Sequence, residues 1–465
     1  MNEIIFALVV GFLLIINIFI AFIRKGGKDI SLLVYSADPN KYNYLIIALT
    51  ITGTIVGGGM FLAVGQMGYE SKYIGLVLGT IYIVGLGLLG FFAKKIRELM
   101  ENYKIYTLLD FLSINYNRKV VMQFTIVNFL MYLFLLASQF VAIFQFLSFI
   151  NSKIENHLIL YSLVMLAIVA LFLYPVIGGL RKDIQTDIIQ MVIIFIVSLL
   201  IIIKLFQNNV IENVYTTNQF TSMGNNGYGV TFIIGAILFL TPSFFIRMDM
   251  WQRIITARTE KDARYGFWIA GALSFVFFAL FTLIGSNANI LKFDDSRFAT
   301  LNTIYVLFNN PVVLGFIVGG LFAAVLSTSD TLINNASIFA TKLLFPKTNF
   351  SLEETKNNKL LKFSRFFAVI LTIVSLLLSF VVPDIVDLII GAFSLLLIFF
   401  PTIIGLINKH NNSDAAFYSA FIGLLVFLIS FFFWDPKLAF VPSVFVSFLI
   451  YFPYYLLTKK QNKIV

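Results

Sequence analysis

Between Leu326 and Ser337 the chain reads LSTSDTLINNAS, directly after the apolar run VVLGFIVGGLFAAV. Hydroxyls, a carboxylate and two amides follow one another where burial in oil is expected. On a helix, Ser327, Asp330 or Thr331, and Asn334 recur at three- and four-residue spacing and form one polar face. A charge inside such a span is expensive and reads as functional by default. A second acid of this kind is Asp187, in RKDIQTDIIQMVIIF. Hydroxyl, carbonyl and carboxylate oxygens are hard ligands, suited to a cation that has shed its water. Two other readings stand beside that one. Ser, Thr and Asn also hydrogen-bond neighbouring helices in membranes, and Asp187 and Asp330 are equally placed to carry protons.

The remaining chemistry is sparse. The chain has no cysteine, and its two histidines, His157 and His410, sit at the ends of apolar runs. Thiolate metal sites and disulfides are excluded, and a histidine-based triad or zinc site is not supported. No nucleophile–base pair suggests an enzyme. Arg247 and Asp249 follow Pro242 near the end of another apolar run. Either Arg247 snorkels to the cytoplasm and pairs locally with Asp249, or it holds a substrate carboxylate or closes an inner gate. Glu70 and Lys72 read as solvated loop charges.

The elements that must position these groups follow from composition. Of 465 residues, 59% are hydrophobic and 12% charged, and mean hydropathy is +0.93. No soluble globular protein of this size has that balance. The reading is an all-α integral membrane protein, because only closed backbone hydrogen bonding survives in hydrocarbon. Thirteen spans are predicted at 4–23, 43–67, 73–93, 120–150, 157–179, 185–206, 229–250, 267–289, 311–340, 366–382, 384–407, 415–434 and 438–458. Their lengths suit a hydrocarbon core of about 30 Å. The first is no cleaved signal, since its basic cluster RKGGK follows the apolar run. With the N-terminus outside and the C-terminus cytoplasmic, inside segments carry 26 Lys and Arg and outside segments six. That bias orients the protein and accounts for the +10 net charge without nucleic acid.

Two spans carry breaks. The second, LTITGTIVGGGMFLAVGQMGY, has Gly53, Gly57, Gly58 and Gly59 near its middle; the seventh has Pro242 between Thr241 and Ser243. Glycine weakens a helix and lets backbone approach a partner, and proline removes a donor and kinks it. Close helix packing and an ordinary kink explain either break alone. Five spans apart, the two match a five-plus-five inverted repeat in which each half begins with a discontinuous helix, the pattern of a transporter binding site. The whole chain then forms one transporter domain, with 43–206 and 229–407 as repeats and 4–23 and 415–458 peripheral.

Three stretches resemble motifs of the sodium:solute symporter family, whose members carry sugars, proline or pantothenate. They are GGLRKDIQTDIIQMVI (Gly178–Ile193), MWQRIITARTEKDAR (Met250–Arg264) and GGLFAAVLSTSDTLINNAS (Gly319–Ser337). The thirteen-helix, N-out arrangement resembles members of the same family. The resemblance implies a LeuT-type fold and a principal sodium site. Its ligands would be backbone carbonyls of Gly53, Val56 and Ala324 with the hydroxyls of Ser327 and Thr328. It also implies a second sodium site, found in some relatives, at Asp187, Ser327, Asp330 and Thr331.

Departures bear on the solute. Proline carriers have a Ser-Asp pair in the second-span break, where this chain has Thr54 and Ile55. The third span is nearly bare of polar side chains, and the fourth offers mainly Asn128, Ser138 and Gln139. A polyhydroxylated sugar would leave hydroxyls unpaired there, at about 1–3 kcal/mol each. An amino acid, monocarboxylate or vitamin-like acid fits better. Expected solute contacts are Met60, Gln66, Gln139, Ser243 and Ser394, around a midplane site between the second, third, fourth, seventh and eleventh spans. The expected activity is sodium-coupled symport at the plasma (cell inner) membrane, with sodium as coupling ion and no organic cofactor. Proton coupling through Asp187 and Asp330, or a solute sensor that transports nothing, are the alternatives.

Overall fold

In a bilayer every backbone amide must find its partner within the protein, and this chain meets that demand with helices. The structure is a computed structural model and describes residues 3–23, 39–57, 59–103, 107–156, 158–159, 161–163, 165–166, 180–216, 228–344, 358–407 and 412–461. The side chains of Ser327 and Asp330 lie outside this description, as do both histidines and most of the span predicted at 157–179.

The helices are α1 (Glu3–Ile23), α2 (Tyr44–Val56), α3 (Gly59–Glu70), α4 (Ile74–Tyr103), α5 (Leu108–Asn115), α6 (Arg118–Asn151), α7 (Leu180–Gln207) and α8 (Val210–Thr216). Next come α9 (Val230–Gly235), α10 (Met248–Thr256), α11 (Glu260–Ile290), α12 (Ala299–Leu307) and α13 (Pro311–Leu344). The chain closes with α14 (Asn358–Val381), α15 (Ile385–Leu397), α16 (Phe400–Ile407), α17 (Ser413–Phe433) and α18 (Phe440–Gln461). Among the described residues, seven spans are long and apolar enough to cross a membrane, and two bent helix pairs bring the number to nine. Three shorter apolar helices are Glu3–Ile16, Arg365–Val381 and Phe440–Tyr454.

Several helices outrun the spans predicted for them. α11 starts at Glu260, where the Thr259 hydroxyl accepts from the Asp262 amide and two acids occupy the first turn. Hydropathy registers only the hydrocarbon-spanning part; the cap extends the helix beyond it. The span predicted at 384–407 divides into α15 and α16, with Pro401 at the second position of α16. Proline at the start of a helix forfeits only a donor that would lack an intrahelical partner.

The helices on either side of the glycine- and proline-bearing stretches are bent against each other. α2 and α3 meet at 56°, and the α9 segment meets α10 at 44°. The second bend has a physical build-up: α9 widens into a π-turn at Ala236–Leu240, passes Thr241–Ser243 with Pro242, and unwinds before Met248. π-turns and prolines are the usual sources of such kinks. α6 and α13 occupy the middle of the bundle, with 83% and 82% of their best spanning windows buried; α7 and α17 reach only 39% and face outward. α18 pairs with α17 through serines, Ser419 Oγ donating to the Ser447 carbonyl at 2.8 Å and Ser447 Oγ to that of Ser419 at 3.3 Å.

The start of the first bent span and the end of the second are tied together. The Asn40 and Lys41 amides donate to the Ile255 and Thr256 carbonyls at 3.0 and 2.9 Å, and the Arg258 amide donates to the Tyr42 carbonyl at 2.7 Å. Arg97 of α4 closes the knot, its guanidinium donating to the carbonyls of Ile254 and Ala257 at 3.1 and 2.6 Å.

Candidate functional site

The first break meets α13 at one point. Gly57 ends α2 with φ −54°, so glycine is not there for its torsion. It is there for space: a β-carbon on Gly57 would lie 1.3 Å from Thr328 Oγ1 and 3.0 Å from the Gly53 carbonyl oxygen. The Thr328 hydroxyl donates to the Ala324 carbonyl at 3.1 Å. The oxygens of Gly53, Ala324 and Thr328 thus converge on the opened turn of α2, and Val56 is buried in its last turn. Three of the five expected principal ligands are brought together in this way. Across the gap, Gln139 of α6 caps the restart, its Oε1 accepting from the Gly59 amide at 2.9 Å. Among the described residues no three His, Cys, Asp or Glu side chains are grouped as metal ligands. A cation at this break would rely on carbonyls and hydroxyls, the donor set that suits an alkali ion.

A second polar group lies against α2. Asp187 of α7 is 2% exposed; Thr50 Oγ1 donates to its Oδ2 at 2.5 Å, and Arg253 Nη2 stands 3.7 Å from the same oxygen. Arg253, on α10, also reaches Thr54 Oγ1 at 3.5 Å. Of the expected second-site residues, Asp187 is therefore already held by a guanidinium. Thr331 is buried with a hydroxyl that makes no hydrogen bond among the described residues. Ser337 donates to its own helix, at the Asn334 carbonyl.

Arg247 and Asp249 form a bidentate pair, Nε to Oδ1 at 3.1 Å and Nη2 to Oδ2 at 2.6 Å. The local pairing is as the sequence suggests, but the snorkelling is not. Both side chains are buried, and the guanidinium lies 5.9 and 5.7 Å from the Phe244 and Phe393 rings. Asp249 belongs in the first turn of α10, where the helix dipole favours an anion.

Beside this pair opens a small cavity. Met60 and Met67 of α3, Tyr82 of α4, Phe244 and Phe393 form much of its wall, with Ser243 and Ser394 as small polar points. Ser243 Oγ donates to the Leu240 carbonyl at 2.6 Å and Ser394 Oγ to the Ile390 carbonyl at 2.7 Å, so each offers the cavity only lone pairs. Met60, Ser243 and Ser394 line the cavity as expected, whereas Gln66 and Gln139 do not. Gln139 caps α3. Gln66 reaches Asp384 instead, its Nε2 donating to Oδ2 at 2.8 Å. The walls come from the second, third, seventh and eleventh spans, with Phe278 of the eighth and Phe440 of the last; the fourth supplies no lining residue.

At the C-terminal end of α3, Lys437 Nζ, from the turn between α17 and α18, lies 3.4 Å from Glu70 Oε2 and 4.8 Å from the Tyr228 ring centre. Glu70, read from the sequence as solvated, is partly buried in this pair. Beyond the spans, hydrogen bonds from Arg297 hold Asp295 below the usual carboxylate range. Sequence reasoning missed Thr50, Tyr82, Arg253, Asp384 and Lys437. Only Arg253 carried a signal, as the arginine of the WQR stretch.

A bundle of membrane-crossing helices with two bent spans, a polar break and an apolar cavity beside it defines a membrane transporter. The chain belongs to the sodium:solute symporter family, whose sequence model matches residues 41–423. Solved structures share the fold. A Na+-coupled sialic acid symporter superposes with a TM-score of 0.73 at 15% identity, covering 96% of each chain. Mhp1, a nucleobase-cation-symport-1 family transporter, gives a TM-score of 0.54 at 14% identity, covering 92% of this chain and 96% of its own. The manganese transporter of Eremococcus coleocola gives 0.52 at 14% identity, covering 92% and 95%. No curated protein is similar enough to this chain to count as a match.

Proposed function

We propose that the protein is a secondary active transporter that couples sodium entry to symport of a small organic solute by alternating access. It would work as a single transporter domain with two inverted repeats, N-terminus outside and C-terminus cytoplasmic, in the plasma (cell inner) membrane. The observation that carries the reading is the Thr328 hydroxyl lodged against Gly57 beside the Ala324 carbonyl. Principal sodium would be held by carbonyls of Gly53, Val56 and Ala324 and hydroxyls of Ser327 and Thr328. The ion would tie the bent second span to α13 and favour the state that binds solute, a linkage that must be reciprocal.

The solute would bind at Met60, Ser243 and Ser394. A wall this apolar supports an amino acid, a monocarboxylate or a vitamin-like acid over a sugar, whose hydroxyls would go unpaired. The activity needs no organic cofactor and no catalytic residue. The solute is found by a thermal-shift screen of amino acids, carboxylates and sugars with and without sodium. Thr328→Ala should then raise the sodium concentration for half-maximal uptake about tenfold, roughly 1.4 kcal/mol for one lost ligand to a charge. Thr328→Ser should stay near wild type. An unchanged sodium requirement in Thr328→Ala overturns the assignment.

A further inference from the structure

We propose that one end of the cavity binds a primary ammonium group, on Asp387 with Glu70 and Gln66, and that Lys437 fills this site until a solute arrives. The inference rests on the symport reading above and narrows its solute to one that carries an amine, such as an amino acid.

Both carboxylates continue faces that line the cavity. On α15, Ile390 and Ser394 line it, and Asp387 stands three and seven residues before them, on the same side of the helix. On α3, Met60 and Met67 line it, and Glu70 lies three residues past Met67. The opposite wall leads to the same place. Phe232, a wall residue, meets the Tyr228 ring edge-on at 5.2 Å, and the Lys437 ammonium lies 4.8 Å from that ring's centre.

Four carboxylates gather here, and three are engaged. Asp384 accepts from the Val386 and Asp387 amides and from Gln66 Nε2. Asp435 accepts from the Lys437 amide at 2.9 Å, and Glu70 holds the Lys437 ammonium at 3.4 Å. Asp387 has no such partner for its carboxylate among the described residues. Lys437 is the one cation acting on it there, against Asp384, Asp435 and Glu70. The start of α15 favours an anion at this position but supplies no counter-ion. Beside it, Gln66 is 3% exposed and keeps Oε1 without a donor, while its Nε2 is bound to Asp384. A buried acceptor left open costs free energy that an incoming N–H restores. An ammonium brings three donors and a charge, and an aromatic face beside it adds cation–π attraction. Lys437 shows the fit, resting its own ammonium on a carboxylate and a ring. Among the described residues the acids are not grouped as metal ligands, so the cation they suit is an organic one whose N–H bonds point apart.

The test follows thermal shifts of the purified full chain, with and without sodium, using probes that differ only in their charged groups. One series is L-leucine, isoamylamine and isocaproate; the other is L-phenylalanine, phenethylamine and hydrocinnamate. In at least one series the amine-bearing probes should stabilise the protein, and the acid lacking the amine should not. Asp387→Asn should raise the probe concentration for a half-maximal shift about tenfold or more, whereas Asp387→Glu should keep most of the response. Lys437→Gln, which removes the resident ammonium, should lower that concentration about threefold. A cooperative melt without probe shows that each variant is folded. Acids that bind as well as amines, amines that bind Asp387→Asn as tightly as wild type, or no amine that binds at all overturn the ammonium site and leave sodium symport standing. Unimproved binding in Lys437→Gln overturns the part given to Lys437. Amine binding in a protein that never responds to sodium does the reverse: the site stands and the symport reading falls.

Discussion

Thr328 and Gly57 illustrate how much a single contact decides. The hydroxyl fills the space where any side chain at Gly57 would begin, with 1.3 Å between it and an added β-carbon. Gly57→Ala must push α2 away from α13, so the sodium-dependent rise in thermal stability should vanish in this variant. A preserved sodium shift would show that the cation binds elsewhere. Gln139 makes a second case. Truncated to Ala, it leaves the Gly59 amide without its acceptor, and the loss of a helix cap costs about 1 kcal/mol. Denaturation of Gln139→Ala should therefore show a modest loss of stability. Its solute affinity should change little, since Gln139 does not line the cavity. Ser-Thr beside an acid suggests cation chemistry from residue types alone, and the structure lodges one of these hydroxyls, Thr328, against the first break. The partner of Asp187 was not legible, because nothing in a sequence says that positions 187 and 253 meet.

Helices were legible where hydrocarbon thickness dictates length, and both breaks were legible because glycine and proline act on their own backbone. The ends of helices were less so, since caps and charged first turns extend them past the apolar run, as in α11. Pairings across the bundle stayed hidden: Gln66 with Asp384, and Lys437 with Glu70, join elements far apart in the chain. The second of these ties the C-terminal end of α3 to the turn between α17 and α18. The two side chains keep 22% and 17% exposure, so solvent trims the pair to about 1 kcal/mol or less. Lys437→Gln should loosen α3 and open the cavity outward more often. In this cysteine-free chain a cysteine placed at Leu78, on the cavity wall, reports that opening through its rate of labelling by an impermeant maleimide. The rate should rise about threefold in Lys437→Gln and return in the exchanged pair Lys437→Glu with Glu70→Lys. An unaltered rate would mean the pair is surface decoration.

For the molecule as a whole, the basic residues and the apolar spans tell one story. With the N-terminus placed outside, as proposed above, the basic residues divide 26 to six in favour of the inner segments. Uptake into vesicles should therefore stop when external sodium is replaced by choline at fixed pH. Uptake that persists on a proton gradient alone would favour Asp187 and Asp330 as proton carriers. The solute itself was only half legible. A cavity wall announces what it repels more clearly than what it holds, and its residues come from six spans that the chain order does not place side by side. The knot between the start of α2 and the end of α10 has a kinetic meaning. With residues 40–42 bonded along 255–258, and Arg97 fastened to the same strand of backbone, α2 and α10 form one lever. A lever with one fulcrum opens one door. On the proposed symport reading, ion and solute would leave through it in the same stroke, and the tightness of coupling would reduce to how rarely that door swings with the cavity empty.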